Sequence, residues 1–313
     1  MAIAASSTDS TLAIQRPSAV HRWLQHLTAR PSGLLGLVIV VTFVLLAILA
    51  PVVAPHDPLQ QNWKVRLEPP LTSGDDGQLY ILGTDSLGRD ILSRLIFGAR
   101  ISIAVAVLAV ALRSSMGVLI GLAAGYYRGP TDAVLMRLAD IQLAIPFLVL
   151  AIALMAIIGT GFSKIVLVLG VTGWVTYGRI VRSEVLSVRE RDYVEAARAI
   201  GAPNRTILFR HVLPNVSSSI IVISTLEIAL MITAEATLSF LGLGIQPPTP
   251  SWGVMVADGR DLIYGQWWVS AWPGLAICLA VLGVNLLGDW LRDVLDPTTR
   301  GGALQRRLSK RDA

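Results

Sequence analysis

EAARAIGAPNRTILFRHVLPN, residues Glu195–Asn215, is a polar, arginine-rich island between two long apolar runs. A segment of that composition, so flanked, belongs in water beside a membrane. Ala, Arg, Ile and Glu dominate Arg191–Ile200 and favour a short helix. Gly201-Ala202-Pro203 should break it, because glycine tolerates left-handed dihedrals and proline cannot continue a helix. A second short helix is expected over Asn204–Val212, capped by Asn204 and disrupted at Pro214. The product is a helix–bend–helix protruding from the membrane, a shape suited to gripping another protein.

The surrounding chain supports a membrane setting. Of 313 residues, 53% are hydrophobic and 15% charged, too apolar for a soluble domain of this length. The single cysteine, Cys278, excludes an intrachain disulfide, and the four histidines form no ligand-spaced pair. The net charge of +5 comes from basic residues beside apolar segments, which fits membrane topology better than nucleic-acid binding.

Apolar periodicity divides the chain into an all-α protein with six transmembrane helices. Residues 1–33 are expected to form a cytoplasmic N-terminal tail, disordered or partly helical at Val20–Ala29. Leu34–Ala54 is uncharged for 21 residues, enough to cross a hydrocarbon core of about 30 Å, and reads as an uncleaved signal anchor. Residues 55–100 make a charge-balanced outer loop. It ends in a short amphipathic helix, Ile91–Arg100, with Thr84 or Asp85 as possible cap. Its Gly83-Thr84-Asp85 lacks the Gly-Lys-Ser/Thr of a phosphate cradle and reads as a structural cap over the bundle.

The second span is expected at Ile101–Tyr126. Gly117, Gly121 and Gly125 bare one of its faces for close helix packing, and Arg113 must face protein or water. The third, Ala133–Ile158, carries Asp140 and a mid-helix Pro146 whose bend serves either a moving gate or static packing. The fourth starts near Lys164 and continues through Tyr177, Arg179 and Arg182 into the polar loop, 184–215. The fifth, Val216–Leu243, carries Glu227 and Glu235, about 80° apart around the helix. Buried carboxyls at that depth line a translocation path, gate it, or bond helix to helix. The sixth, Val269–Leu291, has Trp267, Trp268 and Trp272 at one edge, as expected of a headgroup belt, and a basic tail follows at 294–313. With both termini inside, 18 of the 26 Lys and Arg residues face the cytoplasm, seven lie outside and Arg113 is in the membrane.

Glu195-Ala196-Ala197, Gly201 four residues on, and His211-Val212-Leu213-Pro214-Asn215 together resemble the EAA signature of ABC importer membrane subunits. The histidine and the ending are those of the peptide/nickel branch. Thr84–Arg100, Trp252-Gly253 and Leu295-Asp296-Pro297 resemble the same branch, so the likeness runs from Leu34 to Pro297. The resemblance implies the type I importer permease fold, with residues 101–293 as its five-helix core. It implies a heterodimer with a homologous permease, two cytoplasmic ATPase subunits, an extracytoplasmic solute-binding protein and a bacterial inner membrane. It implies too that Glu195, Ala196, Ala197, Gly201, His211, Leu213 and Pro214 belong to the loop that docks on an ATPase. Glu195 would fix the coupling helix, and Arg198 and Arg205 either pair with acidic groups on the ATPase or are simply solvated.

The chain shows no Gly-x-x-x-x-Gly-Lys-Ser/Thr loop and no hydrolase or metal motif, so no cofactor is expected on it; ATP and Mg belong on the partners. Short peptides are the expected cargo, with nickel, glutathione or oligopeptides as alternatives. An ion-coupled secondary transporter would show internal repeats with matched broken helices, and none stands out. A membrane scaffold or receptor component is the remaining class.

Overall fold

The computed structural model describes residues 31–74 and 77–295. The expected helix at 20–29 and the tail beyond Leu295 lie outside the described residues. The first long helix, α1, is Pro31–Ile48, three residues earlier than the hydropathy boundary at Leu34. A one-turn helix, α2 (Ala50–Val53), follows with Pro51 near its start, where a missing N–H costs nothing. A small antiparallel hairpin, β1 (Thr72–Ser73) with β2 (Leu79–Tyr80), lies in the loop that follows α2.

Helix α3 runs unbroken over Ile91–Tyr127. The expected division at residue 100 does not exist. Arg94 and Arg100 interrupt the apolar pattern without interrupting the helix. The cap is Asp90 rather than Thr84 or Asp85: its carboxylate accepts from the Ser93 N–H at 2.8 Å. Thr84 and Asp85 instead stitch the loop to the bundle. Thr84 Oγ1 donates to the Val65 carbonyl at 2.5 Å, and Asp85 accepts from Arg89 Nε at 2.7 Å and from Arg94. Arg94 also reaches Asp258 at 3.1 Å, closing an ion network over the end of the bundle.

The third span is a bent pair, α4 (Gly129–Leu143) and α5 (Phe147–Ile158), meeting at 86°. Pro146 therefore breaks the helix rather than curving it. Its own ψ of 132 is extended, so the chain leaves the helical path at the proline, which the preceding residue's steric restriction favours. The Gly161 N–H donates to the Gly244 carbonyl at 3.1 Å, so the chain after α5 reaches the end opposite Arg128 and the pair completes a crossing. The fourth span is also interrupted, into α6 (Phe162–Val171) and α7 (Trp174–Val188), a break at Thr172-Gly173 that hydropathy did not reveal.

After α7 come α8 (Asp192–Ala199), the one-turn α9 (Asn204–Thr206), a π-helical turn at Ile207–Val212, and α10 (Leu213–Phe240). A short far-end helix, α11 (Trp252–Asp258), precedes α12 (Trp268–Leu295). Among the described residues, five helical segments are long and apolar enough to cross a membrane, or six with the bent pair as one span.

Packing explains the arrangement. The glycines at 117, 121 and 125 lie flat against α7. A Cβ at Gly121 would come within 2.7 Å of the Gly178 carbonyl and 2.8 Å of Val181 Cβ. On the other side, Gly36 and Gly283 let α1 and α12 approach equally closely. Trp268 departs from the headgroup expectation. It is buried, and its indole N–H donates to the Thr84 carbonyl at 3.3 Å.

Candidate functional site

Helix α8 lies along the near end of the bundle, with Val194 and Ala197 turned inward against Leu122, Val181, Val185 and Val188. Its termination is a Schellman motif. The Gly201 N–H donates to the Arg198 carbonyl at 3.0 Å, and the Ala202 N–H to that of Ala197 at 3.1 Å. Gly201 has φ +79, and nothing lies within 4 Å of where its Cβ would stand. Glycine is thus required for the backbone conformation alone; a side chain would add strain of about 1–2 kcal/mol rather than a collision.

The second limb differs from expectation. Asn204 is the first helical residue, not the cap, and its Oδ1 accepts from the Tyr126 hydroxyl at 2.7 Å. Nor does Pro214 end anything, because helix continues from Asn204 to Phe240, 37 residues. The π turn at Ile207–Val212 absorbs the proline, since the wider bonding pattern leaves its missing N–H unneeded. The Asn215 side chain also donates to the His211 carbonyl at 2.6 Å.

The motif residues fall on different faces. Glu195 and Ala196 are exposed in the first two turns of α8, Ala197 is buried, His211 and Leu213 are half-buried, and Pro214 is exposed. Glu195 sits where the positive end of the helix favours a carboxylate, and among the described residues no cation pairs with it. Arg198 lies with its guanidinium 5.9 Å from the Tyr126 ring centre, as does Arg189. Burial first, then the like charges of Arg128 and Arg198, lower the Arg189 pKa from its ordinary value. Sequence reasoning missed the apolar tip. Ile200 is 85% exposed and Phe209 52%, on either side of the Gly201 bend. Ile200 follows buried Ala197 by three positions, so helical spacing from Val194 and Ala197 could have found it as the outlier.

Inside the bundle, Glu227 pairs with Arg113 of α3. Glu235 is fully buried and accepts from Ser102 at 2.8 Å and Ser239 at 2.7 Å. Asp140 is exposed in the last turns of α4 and pairs with Arg179 of α7, while Pro146 is exposed at the break. Arg182, expected to snorkel, forms a two-pronged pair with Asp132. No cluster of three or more metal-binding side chains occurs among the described residues.

Helices long and apolar enough to cross a bilayer, with buried charge pairs between them, define a multi-pass membrane protein. Residues 117–301 match the family model described as binding-protein-dependent transport system inner membrane component, and residues 18–70 match the N-terminal TM domain of oligopeptide transport permease C. The chain belongs to the family of binding-protein-dependent transport system inner membrane components. It is 42% identical, over 92% of its length and 95% of the relative's, to the di/tripeptide transport system permease protein DppC of Pseudomonas aeruginosa (strain UCBPP-PA14). It is 40% identical, over 90% of its length and 91% of the relative's, to the dipeptide transport system permease protein DppC of Alkalihalophilus pseudofirmus. The glutathione transport system permease protein GsiD of Pectobacterium atrosepticum is 46% identical over 69% of this chain and 72% of its own. The protein is thus a permease subunit of an ABC importer, multi-pass in the inner membrane, working with other components of that system.

Proposed function

We propose that this chain forms half of the translocation pathway of an ATP-driven importer of short peptides, dipeptides first. The other half would be a homologous permease subunit. Two cytoplasmic ATP-binding subunits carry ATP and Mg, and an extracytoplasmic binding protein delivers the cargo. This chain holds no cofactor and no ATP-hydrolysing site of its own, in keeping with a sequence that has no P-loop. Both termini and the 192–212 segment face the cytoplasm, which agrees with the excess of Lys and Arg on that side.

One observation carries the coupling role. Ile200 and Phe209 stand exposed at the tip of a segment held rigidly from behind by Val194, Ala197 and Ile207. Apolar side chains presented in water on a stiff bend fit a groove on a partner. Glu195, Ala196 and Gly201 set the bend's shape; His211, Leu213 and Pro214 join it to α10. The peptide cargo is supported by the relatives named above for dipeptides and tripeptides. The GsiD likeness favours glutathione, a modified tripeptide, as the second reading. Asp140 and Pro146 are assigned to the third span's bend, and Glu235 to bonding α10 against α3.

The test is uptake of labelled dipeptide in a strain lacking the chromosomal copy. The native gene restores uptake, and excess unlabelled glutathione leaves it intact. Competition by glutathione at equal concentration favours the second reading. Uptake that persists without the ATPase subunits but collapses with the ion gradient overturns both.

A further inference from the structure

Arg113 lies deep within the long helix α3, buried, and it touches more elements than its charge partner requires. Its Nη1 donates to Glu227 of α10 and lies 3.3 Å from Met231 Sδ on the same helix. Its Cζ sits 5.4 Å from the ring centre of Phe147, the first residue of α5 after the break at Pro146. It also fills the space beside Gly173, where a Cβ would collide with the guanidinium. Gly173 is the break between α6 and α7. The two breaks adjoin, because the Gln142 side chain at the end of α4 donates to the Thr172 carbonyl at 2.6 Å. One side chain therefore spans α3, α10 and both interrupted crossings.

We propose that the Arg113–Glu227 pair is the joint by which movement of the 192–212 segment reaches the two broken spans, so that both residues position the bundle for transport. The inference rests on the coupling role proposed above and names the path beyond it. Helix is continuous from Asn204 through Glu227, so a push on the segment travels along one rod. Apolar helices slide past one another in a membrane at little cost. A charge pair out of water does not come apart cheaply, and so moves as a unit. Arg113 in turn is braced, since α3 is seated on α7 through Gly117, Gly121 and Gly125. What yields is the backbone where the two spans are interrupted, between Val171 and Trp174 and between Leu143 and Phe147. A second tie between α7 and α10, the Tyr177 hydroxyl donating to Ser224 at 3.0 Å, carries no charge and serves as the comparison.

The experiment uses the whole complex, purified with its own partner subunits and placed in proteoliposomes, with dipeptide uptake and ATP hydrolysis measured in parallel. Glu227→Gln and Arg113→Gln should each lower uptake per ATP by about tenfold or more while ATP hydrolysis stays within about twofold. The reversed pair, Arg113→Glu with Glu227→Arg, should regain part of the loss, and Gly173→Ala should uncouple as the single variants do. Tyr177→Phe should leave the ratio unchanged. Unaltered uptake per ATP in Glu227→Gln overturns the joint. So does equal uncoupling by Tyr177→Phe, or a parallel fall of uptake, hydrolysis and assembly that the reversed pair does not relieve. Gly201→Leu is the control for the underlying role: full uptake in it removes the coupling reading, whereas its failure beside an unaffected Glu227→Gln removes the joint alone.

Discussion

At the scale of single residues, Gly201 and Glu235 show opposite kinds of constraint. Gly201 has free space but a left-handed backbone, so Gly201→Ala should lower stability by only about 1 kcal/mol. Asn tolerates that backbone better than other side chains, and Gly201→Asn should keep more uptake than Gly201→Leu at equal expression. Uptake equal in the two variants would show that the bend's geometry does not matter. Glu235 is the reverse case, fully enclosed with each oxygen accepting from a serine hydroxyl. Glu235→Gln keeps one acceptor and the same volume, and should assemble with thermal stability near the parent's. Glu235→Leu takes the carboxylate acceptor away from the Ser102 and Ser239 hydroxyls, at a cost of about 1–3 kcal/mol per buried group. A melting curve of the detergent-purified protein separates the two, and equal melting would deny Glu235 its bonding role.

At the scale of elements, the glycine seam and the two broken spans carry the predictions. Gly121→Val places branched carbon where the Gly178 carbonyl and Val181 already stand. It should force α3 off α7 and cut the yield of assembled protein severely, as read by size exclusion. Gly129→Val is the contrast in open space, although φ +57 there still strains it. The seam was legible in the sequence because four-residue spacing puts three glycines on one helical face without help from the rest of the molecule. The bend at Gly201 was legible for the same local reason. Three features were not. The break at Gly173 depends on an arginine 60 positions away that occupies the missing side chain's place, and hydropathy averages over such a break. The run of helix through Pro214 depends on a π turn, which no local propensity announces. The fusion of Ile91–Arg100 with the span behind it depends on Asp85 and Asp258 neutralising Arg94, partners that lie in other elements. Charge read along a single segment placed a boundary where the tertiary structure has none.

At the scale of the whole molecule, the ion network at the far end and the arginine-lined bend at the near end mark the two faces of one subunit. The far end is fastened by Asp85, Arg89, Arg94 and Asp258, so the outer loop should behave as part of the bundle and not as a loose flap. Protease added to right-side-out vesicles should leave residues 82–100 intact, while Arg94→Ala should open the loop to cleavage within the same time. Protection unchanged in Arg94→Ala would mean that other contacts hold the cap. The near end has an apolar tip, Ile200 and Phe209, that a lone subunit would leave in water. The single native cysteine, Cys278, is exposed and must first be replaced by serine.

Cross-linking from that tip tests the coupling claim most directly. With Cys278→Ser as background, Ile200→Cys and Phe209→Cys in the purified complex should each join the ATP-binding subunit through a short bis-maleimide. The adduct should have the mass of one permease plus one ATPase, and both sites should resist membrane-impermeant maleimide added outside intact cells. No such adduct from either position, together with labelling from the outside, would contradict the account.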